Sequence, residues 1–275
     1  MTIRNIHHVG LVVPDLPRAL AFWRDTVGLP FISESDVPDE GVHSAVLSMG
    51  NCLVILMHPI AEGFPASEFL ARTSGGIHHF AFETDDLDAE KASLEAKGVG
   101  VRLSEGIGRK LYVDQAATAG LFVEIVQPPE PTALGGEVDA LFTHLVILVH
   151  ETKDVFGSAR MWEKTFGLQV ESYLNAPEGD NRHVMIPSGA PGSVYIEALM
   201  PQDPNGKNMA YLNRAGDNLF QLGVRCRDID EAVARLSGSG RGAAAWMLGE
   251  VSRTLNERGT AIEAFPVEPE ALAGL

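Results

Sequence analysis

The chain has 275 residues, 45% of them apolar and 21% charged, with 28 glycines, 16 prolines and two cysteines. That length suits one large or two ordinary domains with real cores, which excludes a disordered chain. Lys+Arg 21 against Asp+Glu 37 gives a formal net charge of −16, a surface that repels nucleic-acid phosphates and anionic lipid, so neither is expected as a partner.

In chain order, MTIRNIHHVGLVV opens with an apolar run too short for a signal peptide, and residues 6–13 read as a β-rich strand. A helix follows: Asp15 can cap it, Pro17 sits in its first turn, Ala19, Leu20, Trp23 and Val27 recur at three-to-four spacing, and Gly28 stops it. Apolar runs near 44–48 and 52–57 read as strands. IHHFAFET at 77–84 repeats the opening strand, Asp86 caps a second helix carrying Leu87 and Leu94, Gly98 ends it, and strands near 110–113 and 121–126 follow. The junction QPPEPTALGGE at 127–137 is rich in turn-formers. Beyond it come a strand at 142–149, a helix near 154–166, strands near 182–186, 194–200 and 219–225, a helix at 228–237 and strands to 265. No apolar run reaches the about 18 residues that a bilayer span needs, and Cys52 and Cys226 fit no metal or redox spacing, so a cytoplasmic protein is expected.

A repeat organises these elements. FWRDTVGL at 22–29 matches MWEKTFGL at 161–168 with a displacement of 139, and DLD at 86–88 matches DID at 228–230 with a displacement of 142. The chain therefore reads as a tandem of two domains, 1–130 and 138–275, α+β in class, built from four βαβββ modules. Trp23 and Trp162 match across the repeat at helical positions and read as packing.

Two dihistidines, His7-His8 and His78-His79, open the two modules of the first half. Adjacent strand residues point to opposite faces, so one of each pair can face a shared interior, and the alternation does not settle which. Glu124, Glu197 and Glu263 each lie inside apolar strand sequence. A buried carboxylate needs a counter-charge, and a metal ion supplies one. His8, His79 and Glu124 project onto His144, Gln221 and Glu263 at displacements of 136, 142 and 139, while Glu197 projects back onto Ile55 at 142. Imidazole with carboxylate and amide oxygens suits a divalent Fe, Mn, Co, Ni or Zn ion in an open site. Arg109 and Lys110 are candidates to meet an anionic substrate tail, but exposed basic residues on a strand are more often solvated, which is the expectation here. Met57 and His58 read as structural, and Asp85, Asp86 and Asp228 as helix caps.

These motifs resemble the vicinal oxygen chelate superfamily, which includes glyoxalase I, methylmalonyl-CoA epimerase, extradiol dioxygenases and antibiotic-resistance proteins. Residues 5–127 are most similar to the epimerases, through IHHVGLVVPDLPRALAFWRDTVGLP, DVPDEGV, SEFLARTSGGIHHFAFETDDLDA and FVEIVQP. The resemblance implies two glyoxalase-like domains whose curved sheets close around a metal. It implies the metal ligands His8, His79 and Glu124 in the first half, with Ile55 where the epimerases have Gln and Ser44 where their second carboxylate falls. It implies His144, Glu197, Gln221 and Glu263 in the second, a mixture like that of glyoxalase I. Glu124 or Glu263 would carry the proton. The leading expectation is a metal-dependent isomerase, epimerase or lyase acting through an enolate on a small oxygenated molecule. Its rivals are an Fe(II) ring-cleaving dioxygenase and a ligand-sequestering binding protein. Oligomeric state stays open between a homodimer and a self-contained pseudo-dimer.

Overall fold

The computed structural model of the protein describes residues 3–105, 108–130, 132, 138–175 and 181–237. The first half contains β1 (Ile3–Val12), α1 (Leu16–Leu20) continuing as π-helical turns over Ala21–Thr26, β2 (Phe31–Val37), β3 (Val42–Ser48), β4 (Leu53–Pro59) and α2 (Pro65–Thr73). It continues with β5 (Gly76–Thr84), α3 (Leu87–Ala96), β6 (Val101–Ser104), β7 (Lys110–Val113) and β8 (Phe122–Val126). The second half contains β9 (Phe142–Glu151), α4 (Val155–Phe166), β10 (Ser172–Asn175), β11 (Asn181–Pro187), β12 (Tyr195–Pro201), α5 (Lys207–Ala215), β13 (Asn218–Cys226) and α6 (Ile229–Ser237). Among the described residues no helix is long and apolar enough to cross a membrane.

The strands form an eight-stranded sheet, ordered β2-β3-β4-β1-β5-β8-β7-β6, and a five-stranded sheet, ordered β10-β11-β12-β9-β13. Three modules repeat one plan: a first strand, a helix, then three strands of which the last returns parallel to the first. Two modules join where β1 and β5 pair antiparallel, and β9 and β13 pair the same way. The fourth module is described through α6; the strands expected up to 265, with Glu263, lie outside the described residues. Strand-to-helix turns use one device throughout. Asp15, Asp86, Asp154 and Asp228 each accept a hydrogen bond from a backbone N–H three residues on, satisfying a donor left free in the first turn.

The two halves share a core. Trp162 and Phe166 of α4 pack on Phe80 and Phe82 of β5, with Trp162 and Phe82 ring centroids 6.3 Å apart and Phe166 and Phe82 5.1 Å. Asn51 supplies a polar tie: its Nδ2 donates to Leu145 O at 2.9 Å, and Leu145 N–H donates to its Oδ1 at 2.9 Å. The Trp of the repeat is thus a packing residue, as the sequence indicates.

The antiparallel joints carry the feature that shapes the site. Along β1 and β5, Ile6 pairs with Phe82 and His8 with Ala81, so His7 is an extra residue bulged out of the ladder. Likewise Gly10 pairs with His79 and Leu11 with Ile77, which makes His78 the extra residue on β5. The second sheet keeps both bulges: Val146 is extra between Leu145 and Ile147, and Phe220 between Leu219 and Gln221. A bulge breaks strict alternation, so neighbouring side chains can lie together.

Candidate metal centre

His8 lies on β1, His79 on β5 and Glu124 on β8, three adjacent strands of one sheet. Register sets Ala81 between His8 and Glu124, and His79 one row along, opposite Gly10. The three side chains are 6%, 5% and 5% exposed, and each offers one ligand atom within 4.8 Å of the others. His8 Nε2 is 3.3 Å from His79 Nε2 and 3.7 Å from Glu124 Oε2. Ligands at about 2.1 Å from one ion stand about 3.0–3.4 Å apart at octahedral or tetrahedral angles, so these donors fit a divalent cation with small adjustments. Two further observations agree. Glu124 Oε2 is buried and makes no hydrogen bond, with the Lys110 ammonium at 3.1 Å as its cationic neighbour, so it keeps a lone pair that a bound cation can take up. The His79 ring fills the space over Gly10, where a Cβ would stand 2.2 Å from its Cε1.

Both dihistidines act as pairs. His7 Nδ1 is 2.8 Å from His8 Nδ1, and His78 Nδ1 is 3.0 Å from His79 Nδ1. The outer ring of the second pair is held between aromatics, stacked on Phe122 at 4.5 Å and edge-on to Phe69 at 5.0 Å. The outer histidine of each pair therefore meets the inner one side chain to side chain, where strict alternation would separate them. Burial, then the neighbouring His79, His7 and Lys110, hold His8 well below the ordinary imidazole range. Burial and the Lys110 charge bring His79 to about 4, and burial with His79 brings His78 to about 3. The ligand imidazoles are thus neutral at pH 7, the form that binds metal.

Lys110 overturns the expectation of a solvated basic residue. From β7, its Nζ reaches Glu40 Oε1 at 2.6 Å and Glu124 Oε1 at 3.2 Å, and the Tyr112 hydroxyl donates to the same Glu40 oxygen at 3.2 Å. Burial opposes the Lys110 charge, but Glu124 and Glu40 outweigh it and hold the ammonium above its usual range. Burial lifts the Glu124 carboxyl, and Lys110 offsets only part of that. Burial would lift Glu40 as well, yet the charge and hydrogen bond of Lys110 leave it below the usual carboxylate range. Arg109 is spent elsewhere, on Asp88 at 2.6 Å. Arg102 stacks over the Tyr112 ring at 4.1 Å.

Glu40, Arg102, Tyr112 and Glu124, with His78 and His79, line a cavity of about 480 Å³ whose wall also includes Val42, Met57, Phe64, Val101 and Phe122. Its size suits a small organic molecule, and polar groups interrupt its apolar wall. Met57, read from sequence as structural, is part of this wall; His58 is structural, with Nδ1 3.2 Å from Val13 O. Sequence reasoning missed Glu40, Tyr112 and Arg102. The pattern of one half gives no sign that a turn at 38–40 meets a strand at 110–113.

The second half is different. Its sheet register matches Ile147 to His8, Val149 to Gly10 and Gln221 to His79. His144 is three residues away, opposite Arg225, with its Nδ1 3.0 Å from Thr143 Oγ1. The displacement of 136 that selected His144 is therefore corrected to 139, and the imidazole is replaced by an isoleucine. Glu197 does match Ile55, and it pairs with His183 Nδ1 on β11. Among the described residues, only His8, His79 and Glu124 bring three such groups together.

A family model described as the Glyoxalase/Bleomycin resistance protein/Dioxygenase superfamily matches residues 7–110 and, again, 143–247. Ethylmalonyl-CoA/methylmalonyl-CoA epimerase of Cereibacter sphaeroides is 37% identical over 100 residues, 36% of this chain and 75% of that protein. Mitochondrial methylmalonyl-CoA epimerase of Mus musculus is 33% identical over 96 residues, 34% of this chain and 54% of that enzyme, about half its length. A triple mutant of 4-hydroxymandelate synthase from Streptomyces coelicolor is 18% identical and shares the fold, with a TM-score of 0.70 over 94% of this chain and 83% of that one. One model fits both halves, and the two sheets repeat one module plan. By sequence and by fold, the chain belongs to the glyoxalase/bleomycin resistance protein/dioxygenase superfamily, as a tandem of two glyoxalase-like units.

Proposed function

We propose that the first half is the working half, a divalent-metal isomerase, epimerase or lyase that acts through an enolate on a small oxygenated substrate. The observation that supports it is the convergence of His8, His79 and Glu124 beside the Lys110–Glu40 pair, with His79, Glu124 and Glu40 lining one cavity. A divalent ion held by His8 Nε2, His79 Nε2 and Glu124 would supply Lewis-acid stabilisation of an oxyanion as charge develops. With both imidazoles neutral, Glu40, Glu124 and Lys110 together carry one negative charge, which a divalent ion converts to one positive. Arg102 adds a further positive charge, and Asp39 and Asp114, which also line the cavity, add two negative ones, so the lining as a whole is neutral and the attraction for a substrate oxyanion lies at the ion itself.

The proton is moved by carboxylates. Glu124 borders both the ligand cluster and Lys110, which steadies its charge. Glu40 faces the same cavity, is held ionised by Lys110, and can take a proton from a bound substrate. It lies on a different element from Ser44, the position where the epimerases' second carboxylate is implied, and Ile55 leaves a fourth ligand position apolar. Methylmalonyl-CoA is therefore a probe to include among several acyl-CoA esters and small 2-oxo acids. The test is exchange of a substrate α-proton with deuterated water, followed by NMR with and without metal. Exchange only in metal-loaded protein supports the reading, and no exchange with any metal and any of these probes removes it.

Two imidazoles with one carboxylate and open positions is also the ligand set of Fe(II) oxygenases, which favours ring cleavage as the second reading. Anaerobic iron loading followed by oxygen uptake on catechols separates the two.

A further inference from the structure

The two bulged histidines carry an inference that rests on this metal reading and concerns residues outside the ligand set. We infer that His7 and His78 are positioning residues that accept the Nδ1–H of His8 and His79, fixing both ligands in the tautomer that presents Nε2 to an ion. A ligating Nε2 uses its lone pair, so the proton of a neutral imidazole must sit on Nδ1. That N–H needs an acceptor in a buried site. In each pair that Nδ1 meets the Nδ1 of the preceding histidine, at 2.8 Å and 3.0 Å. Accepting there forces His7 and His78 into the opposite tautomer, with the proton on Nε2; for His78 that atom is buried with no hydrogen-bond partner, a cost the second pair carries and the NMR assignment below tests directly.

The arrangement depends on the bulges. In a regular strand His7 and His8 would face opposite ways; the extra residue brings them to one side. The second half is an internal control, because it keeps both bulges while replacing the outer residues with Val146 and Phe220 and the inner ones with Ile147 and Gln221. Histidine is therefore not needed to build the bulge. Outer and inner imidazoles are absent together, as expected if the outer ring serves the inner. Metal-ligating histidines more often donate to carboxylates or carbonyls. A neutral imidazole acceptor withdraws less from the N–H than a carboxylate, which leaves the ligand less basic and the ion more electrophilic.

The experiment uses the full chain. Zn(II) and Co(II) affinities are measured by chelator competition for wild type, His7→Phe, His78→Phe, His7→Asn and His78→Asn, with the Co(II) visible spectrum recorded for each. Each Phe variant is expected to bind about 10–100-fold more weakly and to change the Co(II) spectrum. Each Asn variant, whose Oδ1 can take the place of Nδ1 as acceptor, recovers most of the affinity. Phe variants that match wild type overturn this inference and leave the metal reading standing; wild type that binds neither ion overturns both. Should the Phe variants fail to fold, long-range ¹H–¹⁵N spectra of Zn-loaded wild type decide: protons on Nδ1 of His8 and His79 and on Nε2 of His7 and His78 support the inference, and any other assignment refutes it.

Discussion

Gly10→Ala tests the centre through a residue that carries no donor. Gly10 has an ordinary strand conformation, so an added methyl is not opposed by its backbone. The opposition comes from His79: the new Cβ would stand 2.2 Å from Cε1, 2.6 Å from Nδ1 and 2.7 Å from Nε2, where ordinary contact begins at 3.4 Å. The ring must retreat by about 1.2 Å, several times the about 0.2 Å that metal–ligand distances tolerate. His79 is then lost as a ligand, and affinity for Zn(II) falls about 100-fold or more, approaching that of His79→Ala. Without metal the cost is that of overpacking, about 1–3 kcal/mol. Chelator competition measures the first quantity and urea unfolding in EDTA the second. Gly10→Ala that folds and binds metal within twofold of wild type would refute the geometry on which the site rests.

Other substitutions probe other links. Ile55 flanks Gly10 on the side opposite His79, so Ile55→Gln is expected to add a donor and strengthen metal binding several-fold; unchanged or weaker binding counts against the assigned register. Asn51→Ala removes both bonds to the Leu145 backbone and should cost about 2–4 kcal/mol, read as a shift of the urea midpoint, and a loss below about 1 kcal/mol would show that the tie is unimportant. Burial pushes the Glu151 carboxyl up to about 7. Between about pH 4.3, where an unfolded Glu titrates, and pH 7 the unfolded chain releases this proton before the folded one, so stability falls with rising pH by at most about 4 kcal/mol. Glu151→Gln removes that slope: the variant should exceed wild type at pH 8 and match it at pH 4, and a difference independent of pH would sink the assignment.

The sequence carries much of this architecture in plain view. The Trp-x-x-Thr-x-Gly-Leu repeat gives the tandem, and the Asp caps give three of the helix starts. His8, His79 and Glu124 stand out because histidine and glutamate recur inside apolar strands. Four things are not legible, each for a physical reason. A bulge is a property of two paired strands, so a one-strand reading by strict alternation separates His7 from His8, which the fold brings together. The same blindness to register selects His144, since a histidine near the start of β9 imitates the first half until pairing shows Ile147 in place of His8. Lys110 and Glu40 are 70 residues apart and meet only through tertiary structure, where burial and mutual charge turn an ordinary surface lysine into part of the site. Edge strand β2, exposed over nearly its whole length, shows no alternation because neither of its faces is buried.

Metal analysis of purified full-length protein after metal-replete growth tests the central claim most directly, comparing wild type, His8→Ala/His79→Ala and Glu197→Ala/Gln221→Ala. The account predicts one ion per chain in wild type and in the Glu197/Gln221 variant, and loss of it in the His8/His79 variant. An ion that survives the loss of His8 and His79, or wild-type protein that holds none, would contradict it.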